Sequence, residues 1–385
     1  MEIVKLVVHK YINKEFHKGH PQYQECVSCV MDTTDGSITF DKYGKCNYCR
    51  AVDSLNLVDS TNKAQRKALL DHLIETIKKN SRNRKYDCIL GISGGLDSSY
   101  LALLLKEYNL RVLAVHVDGG WNSELAVNNI KQVIEHCNFD LYTHVVNWEA
   151  MRNLQLAFFE SGISNLDIPQ DHAFSAVLHW LAQKQGIKYF MNGGNIATES
   201  IMPSYWQAEA MDSLLIKDIY KKHIGGKIRD FKLISFFQFK ILFRLRGYKQ
   251  IRPLNYIPYG VDRANQKLEK IGWKNYERKH GESIFTKFFQ NYFLVERYGY
   301  DKRRPHFSSR ILSKDLTREK AKELLEANLY LDKELEEDKG FISKKLNISL
   351  SKLDNYLTCK KRLYTDFRNW DKRMALGKTI KKAFR

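Results

Sequence analysis

Residues 86–105 read YDCILGISGGLDSSYLALLL. Two apolar runs flank a turn holding two glycines, an aspartate and three serines. The first run, Cys88-Ile89-Leu90-Gly91-Ile92, is short and apolar, which suits a strand buried on both faces. The second begins at Tyr100 and has helical length with a polar end at Lys106-Glu107. The unit is therefore strand, tight turn, helix. Gly94 and Gly95 open backbone angles closed to other residues and leave no side chain in a ligand's way. Ser98 or Asp97 is expected to cap the helix. Free N–H groups at a helix start form a site for an anion such as phosphate.

Two common phosphate loops do not fit. The Walker pattern needs a lysine before its Ser/Thr, and none is present. The dinucleotide fingerprint needs a third glycine close to where Asp97 stands. The sequence that follows alternates. RVLAVHV at 111–117 is a second strand, leading into Asp118-Gly119-Gly120. A helix over 123–137 follows, with Ser123 as its cap, and then a third strand, LYTHVV, at 141–146. Asp171-His172-Ala173 opens an amphipathic helix, and KYFM at 188–191 is a fourth strand ending in Asn192-Gly193-Gly194-Asn195. Such alternation predicts an α/β fold, an open parallel sheet with helices on both faces. SGGLDSS, DGGW and NGGN all fall at strand C-termini, where such sheets bind ligands.

Cys26 and Cys29 precede Cys46 and Cys49 as two CxxC knuckles. That spacing predicts a structural Zn²⁺ site closed by four thiolates, with no open position for chemistry. Cys88, Cys137 and Cys359 are single. The first 17 residues carry charge too often for a secretory signal, and no apolar run approaches the ~20 residues of a membrane span. A soluble, cytoplasmic chain is expected.

Charge is unevenly placed. Residues 1–210 hold 21 Lys/Arg against 23 Asp/Glu, and residues 211–385 hold 42 against 21. The basic part implies an acidic partner or a solvated basic surface. Three regions are expected: 1–60 with the zinc knuckle, 61–205 as the nucleotide domain, and 206–385 as a basic, mainly helical substrate or partner region. One stretch within the last, KIRDFKLISFFQFKILFRLRGYKQIRP at 227–253, interleaves apolar residues with Lys and Arg. It is read as a helix packed on the sheet with snorkelling cations. The alternatives are an amphipathic helix lying on a membrane surface or a partner, and a surface that stacks bases.

SGGLDSS resembles the PP-loop of N-type ATP pyrophosphatases, which split ATP into AMP and pyrophosphate. Ser93, Gly94, Gly95, Asp97 and Ser98 match that motif. The resemblance implies ATP binding through these residues and Gly91, through Val117 and Asp118 near adenine and ribose, and through Gly193, Gly194 and Asn195 near the AMP part. It extends along the chain. The CxxC knuckles, SGGLDSS, DIPQDHAF, GGNIATES, KHGESIFTKFFQNY and YGYDKRRPHFSSRILSKDLTREKA, in that order, resemble the N-acetyl sugar amidotransferase family of bacterial surface-glycan and O-antigen biosynthesis. The resemblance covers about residues 20–330 and implies conversion of a sugar N-acetyl group to an acetamidino group. ATP with Mg²⁺ would adenylylate the acetamido oxygen, and ammonia would then displace AMP. Ammonia would come from separate glutaminase and cyclase-like subunits, resembling the pair that works in histidine biosynthesis. The substrate would be a UDP-N-acetyl sugar. Candidate catalytic residues are Asp97, Ser98, Glu199 and Glu282. Candidate substrate contacts are His172, His280, Lys302, Arg303 and Arg304, the arginine pair being well shaped for a diphosphate. A tRNA-modifying thiolase is the alternative, since that class also joins zinc knuckles to a PP-loop and a basic half suits RNA. It generally needs a reactive cysteine, and no single cysteine here has an activating setting in sequence. Nucleic acid is therefore not the expected partner.

Overall fold

Five short apolar segments make one parallel sheet: β1 (Cys88–Gly91), β2 (Val112–Asp118), β3 (Asp140–Val145), β4 (Tyr189–Met191) and β5 (Lys249–Ile251), in the order β3-β2-β1-β4-β5. The computed structural model describes residues 21–54, 63–203, 206, 208–276 and 281–375. The first strand lies at the centre because its residues are apolar in both directions. Leu90 aligns with Ala114 on one side and Met191 on the other. Alternate residues feed two cores. Cys88 and Leu90 join the helices Lys63–Ser81, Leu96–Glu107 and Glu124–Cys137 on one face. Ile89, Leu113, Val115 and Val117 meet Ala173, Val177 and Leu181 of the helix Ile168–Lys184 on the other. Burial of this kind stabilises by about 25 cal/mol per Å² of apolar surface.

The chain runs from β1 outward to β3 and then crosses to β4, so the direction of winding reverses between β1 and β4. Loops after these two strands separate at that point and leave a crevice at the sheet's C-terminal edge. SGGLDSS follows β1 and NGGN follows β4, so both border it.

Two expectations need correction. The sheet does not end near residue 205. β5 comes from 249–251 and pairs in parallel with β4, Met191 opposite Ile251. The basic stretch is not one helix. It is helical only at Phe237–Leu242, in π-type turns, and at Phe243–Leu245, before it becomes β5. Gly247, at φ +74°, turns the chain between helix and strand. Beyond the sheet, the helices Trp148–Ser161, Ser213–His223 and Asp332–Leu346 share a third core with Phe285, Phe288 and Phe293. Among the described residues, no helix is long and apolar enough to cross a membrane.

Candidate functional site

The SGGLDSS turn is held from below and from the side. Gly94 has φ +82°, and a methyl group there would stand 2.6 Å from the Ala126 carbonyl oxygen. Only glycine fits both the angle and the space. The Gly94 carbonyl accepts hydrogen bonds from Trp273 Nε1 at 2.9 Å and from the Tyr276 hydroxyl at 3.0 Å. Ser93 Oγ and Ser98 Oγ lie 3.3 Å apart, and Ser93 Oγ accepts from the Gly95 N–H at 3.3 Å. The helix begins at Leu96 with Gly95 as its cap and no side chain capping it, so neither Ser98 nor Asp97 takes the expected role. Ser98 Oγ donates instead to the Gly95 carbonyl, and Asp97 points across the crevice. Its Oδ1 accepts from Asn195 Nδ2 at 3.1 Å and from the Tyr259 hydroxyl.

Asp97 thus ties the two loops together. A methyl on Gly193 would stand 3.1 Å from the Asp97 carbonyl carbon, so the NGGN loop rides directly on the start of the helix. Asn195 caps the short helix Ile196–Glu199 by accepting from the Thr198 N–H. Glu199 turns back beneath Gly194, where a methyl would meet its Oε2 at 3.2 Å. Glu282 reaches the loop from far along the chain. Segment 282–284 pairs with the DGGW loop: the Ser123 N–H donates to the Glu282 carbonyl and the Ile284 N–H to the Trp121 carbonyl, both at 2.9 Å. This sets Glu282 Oε1 3.2 Å from where a Gly95 methyl would be. Asp97 and Glu282 therefore bring two carboxylates to one loop, the hard oxygen donors that Mg²⁺ takes.

The expected nucleotide contacts divide. Gly91 serves packing: a methyl there would press Leu178 Cδ1 at 3.2 Å. The Val117 side chain lies in the sheet's core. Asp118 Oδ1 accepts from the Gly120 N–H at 2.7 Å and from Asn122 Nδ2 at 3.0 Å, fixing the loop after β2. Lys345 of the distant helix Asp332–Leu346 donates to the Gly120 carbonyl, its ammonium 4.8 Å from the Trp148 ring centroid and 5.4 Å from that of Trp121. Burial pulls its pKa down and Asp118 partly restores it.

The helix Ile168–Lys184 starts beside the same loop, with Gln170 Oε1 3.5 Å from where a Gly119 methyl would be. Asp167 accepts from Gln170 at 3.0 Å and from Thr286 at 3.2 Å. Asp171, one turn on, keeps an exposed side chain. Desolvation first, and then the Asp167 charge, push its carboxyl up to about 7, while Lys302 opposes them. Asp171 was read only as part of a helix start. Its place one turn after a second carboxylate is a local i,i+4 spacing that the sequence carries.

Three expected substrate contacts have other work, and a fourth cannot be placed. His172 is fully buried; its Nδ1 donates to the Ala210 carbonyl at 3.0 Å, and its Nε2 accepts from the Ile234 N–H at 3.0 Å. Both bonds together need the neutral ring, and burial lowers its pKa to about 4. Arg303 grips Asp301 and the carbonyls of Leu324, Leu325 and Ala327 at the end of the helix Arg318–Glu326. Arg304 donates to the Val30 carbonyl and pairs with Asp32 at 2.9 Å. The arginine pair therefore does not present a fork to a diphosphate. Lys302 remains near the cleft, over the Trp206 ring at 5.7 Å. His280 lies outside the described residues.

His172 makes a pH-dependent contribution. Its folded pKa lies below its unfolded value of ~6.5, so the contribution is whole above that pH and is lost as pH falls toward 4. A shift of this size amounts to ~3 kcal/mol. Urea melts between pH 7.5 and 4 should show His172→Leu losing less stability over that window than the native chain; equal slopes would remove the assignment.

The four cysteines of the knuckle meet as expected. Their sulfur atoms all lie within 4.8 Å of one another and are buried. Cys26–Cys49 and Cys29–Cys46 are each 3.8 Å apart, the edge expected of a tetrahedron with Zn–S bonds of ~2.3 Å. Backbone N–H groups of Ser28 and Met31 point at Cys26 and Cys29 sulfurs, as thiolate ligands require. The donor set fits a closed structural zinc. Burial pushes the Cys88 thiol well above the usual range and the Cys137 thiol up to about 11.

Comparison with known proteins follows from this geometry. Residues 282–381 match the family described as LPS biosynthesis protein WbpG-like, C-terminal domain. The match covers the C-terminal part of the chain from Glu282 onward and lies beyond the loops after β1 and β4. Uncharacterized protein MJ1599 of Methanocaldococcus jannaschii is 30% identical over 147 residues, which are 37% of this chain and 50% of that protein. The chain thus spans about half the length of the curated relative it matches. Two solved structures show local likeness. NH3-dependent NAD synthetase from Campylobacter jejuni has 15% identity and a TM-score of 0.27, over 34% of this chain and 58% of its own. NMN synthetase from Francisella tularensis has 20% identity and the same TM-score, over 34% and 56%.

Proposed function

We propose that the chain is an ATP-dependent, AMP-forming amidotransferase that converts the N-acetyl group of a nucleotide-linked sugar to an acetamidino group. One observation carries the reading: SGGLDSS and NGGN meet at the reversal between β1 and β4, joined by Asp97 and faced by Glu282. The C-terminal match to an LPS biosynthesis family supports a glycan substrate.

The loop N–H groups and hydroxyls of Ser93 and Ser98 would receive the departing pyrophosphate. Mg²⁺ held by Asp97 and Glu282 would neutralise its charge. The acetamido oxygen would attack the α-phosphorus, forming an O-adenylyl imidate as the bond to pyrophosphate breaks. Ammonia would add to the imidate carbon, and AMP would leave with the former carbonyl oxygen. Ammonium must first lose a proton. Asp171, its carboxyl raised beside Asp167 at the start of the helix bordering the DGGW loop, would accept it. Ammonia would reach it from a glutaminase and cyclase-like pair or from solution.

Incubation with Mg-ATP, ammonium and a panel of UDP-N-acetyl sugars tests this. AMP, pyrophosphate and a sugar in which NH replaces O are the expected products. ATP cleavage supported instead by bulk tRNA and a sulfur donor would transfer the chain to the thiolase class.

A further inference from the structure

The segment at 236–246 has two faces of opposite use. Phe243 and Phe239 turn inward. Phe243 is buried with Ile234 and Ala176, and its ring lies 4.6 Å from that of His179. Phe239 meets the same imidazole edge-on at 5.6 Å. Phe237, Ile241 and Leu245 turn outward, exposed by 56%, 39% and 77%. They recur every four residues along a run of π-type and α-type turns, so they form one apolar line. Arg244 and Arg246 are exposed beside it, and Lys221, Lys222, Lys227, Arg229 and Lys249 are exposed in the flanking sequence, Lys222 paired with Asp218. Residues 221–250 contain nine Lys/Arg and one acid, Asp230.

An isolated exposed apolar side chain means little, but a line of three within a strongly cationic field is a surface built for a partner. We propose that this segment docks the protein on an anionic lipid surface, with Phe237, Ile241 and Leu245 entering the headgroup boundary and the surrounding cations meeting lipid phosphates. Charge complementarity selects the partner: the segment and its flanks, 221–250, hold nine bases and one acid, and although Glu209 pairs Lys240 and Asp218 pairs Lys222, the excess attracts dense negative charge. The apolar line selects lipid over nucleic acid. Ile241 and Leu245 offer no ring on which bases stack, whereas aliphatic side chains enter an acyl boundary readily. Phe239 and Phe243 fasten the segment to the helix Ile168–Lys184, so docking would load the nucleotide domain itself. The attachment is interfacial, consistent with the lack of a spanning helix among the described residues. It is independent of the reaction proposed above.

Vesicle flotation with the full chain tests it. Binding is expected to vesicles of phosphatidylcholine with ~30% phosphatidylglycerol and not to phosphatidylcholine alone, and to weaken as salt rises from ~0.05 to ~0.5 M. Phe237→Ser with Ile241→Ser and Leu245→Ser should lower binding at least ~10-fold with an unchanged melting curve, because these side chains are exposed. Arg244→Gln with Arg246→Gln should lower it too and flatten the salt dependence. Failure to float with anionic vesicles, or indifference to both variants, overturns the proposal. Tight binding to bulk tRNA that the apolar variant leaves intact, without flotation, would assign the surface to nucleic acid instead.

Discussion

Stripping the metal from the four-cysteine knuckle is expected to loosen the crevice between β1 and β4 as well as the knuckle. In small zinc domains the metal supplies ~10–16 kcal/mol of binding free energy that appears as folding energy. Here the knuckle is wired to the far part of the chain. Arg318 donates to the carbonyls of Cys26 and Cys29, and Ser308 Oγ accepts from the Val30 N–H. The cysteines pack against Ile201 and Leu312. Ile201 lies two residues beyond Glu199, and its N–H donates to Ser309. Collapse of the knuckle therefore releases the NGGN side of the site. Chelation or Cys46→Ser should give rapid proteolysis within 21–54 and loss of amide protection at 196–201, together with weaker ATP binding. Elemental analysis should find one zinc per chain before treatment. Unaltered protection at 196–201 after zinc loss would show that the two regions are not coupled.

Asp171→Asn is expected to separate the two halves of the proposed reaction. Asparagine keeps the shape but cannot take a proton. Turnover with ammonium should fall ~10²–10⁴-fold, the usual contribution of a positioned base. Sugar-dependent exchange of pyrophosphate into ATP, which precedes ammonia, should persist. A base must be ionised, so the native rate should rise with pH through the region near 7 where Asp171 is held. The Asp167–Asp171 pair titrates as a unit, and the rising limb belongs to the pair. The variant should lack that limb. Equal loss of exchange and turnover would place Asp171 in binding rather than proton transfer.

Much of this site was legible in the sequence because its parts are local. The turn between β1 and its helix is spelled by adjacent residues, and the strand ends at Asp118 and Asn192 carry their own glycines. The CxxC pairs carry their spacing. What was not legible depends on distance. Nothing near Lys345 says that it will reach the Gly120 carbonyl, and nothing near Tyr259 says that it will meet Asp97. Arg303 and Arg304 had the right chemistry for a diphosphate, but Asp301 and Asp32 claimed them. His172 had the chemistry of a ligand, but its burial made it a neutral strut. β5 escaped detection because three residues, KQI, form no periodic pattern, and their strand identity comes from the open edge of β4.

That edge has a consequence for how the chain is made. β4 is complete at Met191, and the strand that covers it is not complete until Ile251. At ~5–20 residues per second on a ribosome, the ~60 residues between take ~3–12 s to appear. Through that interval the emerging protein carries a bare strand whose N–H and C=O groups are ready to pair with any neighbour. The wait includes the synthesis of a strongly cationic stretch, 221–250, and mutual repulsion between nascent copies would keep those open edges apart until the sheet can close itself.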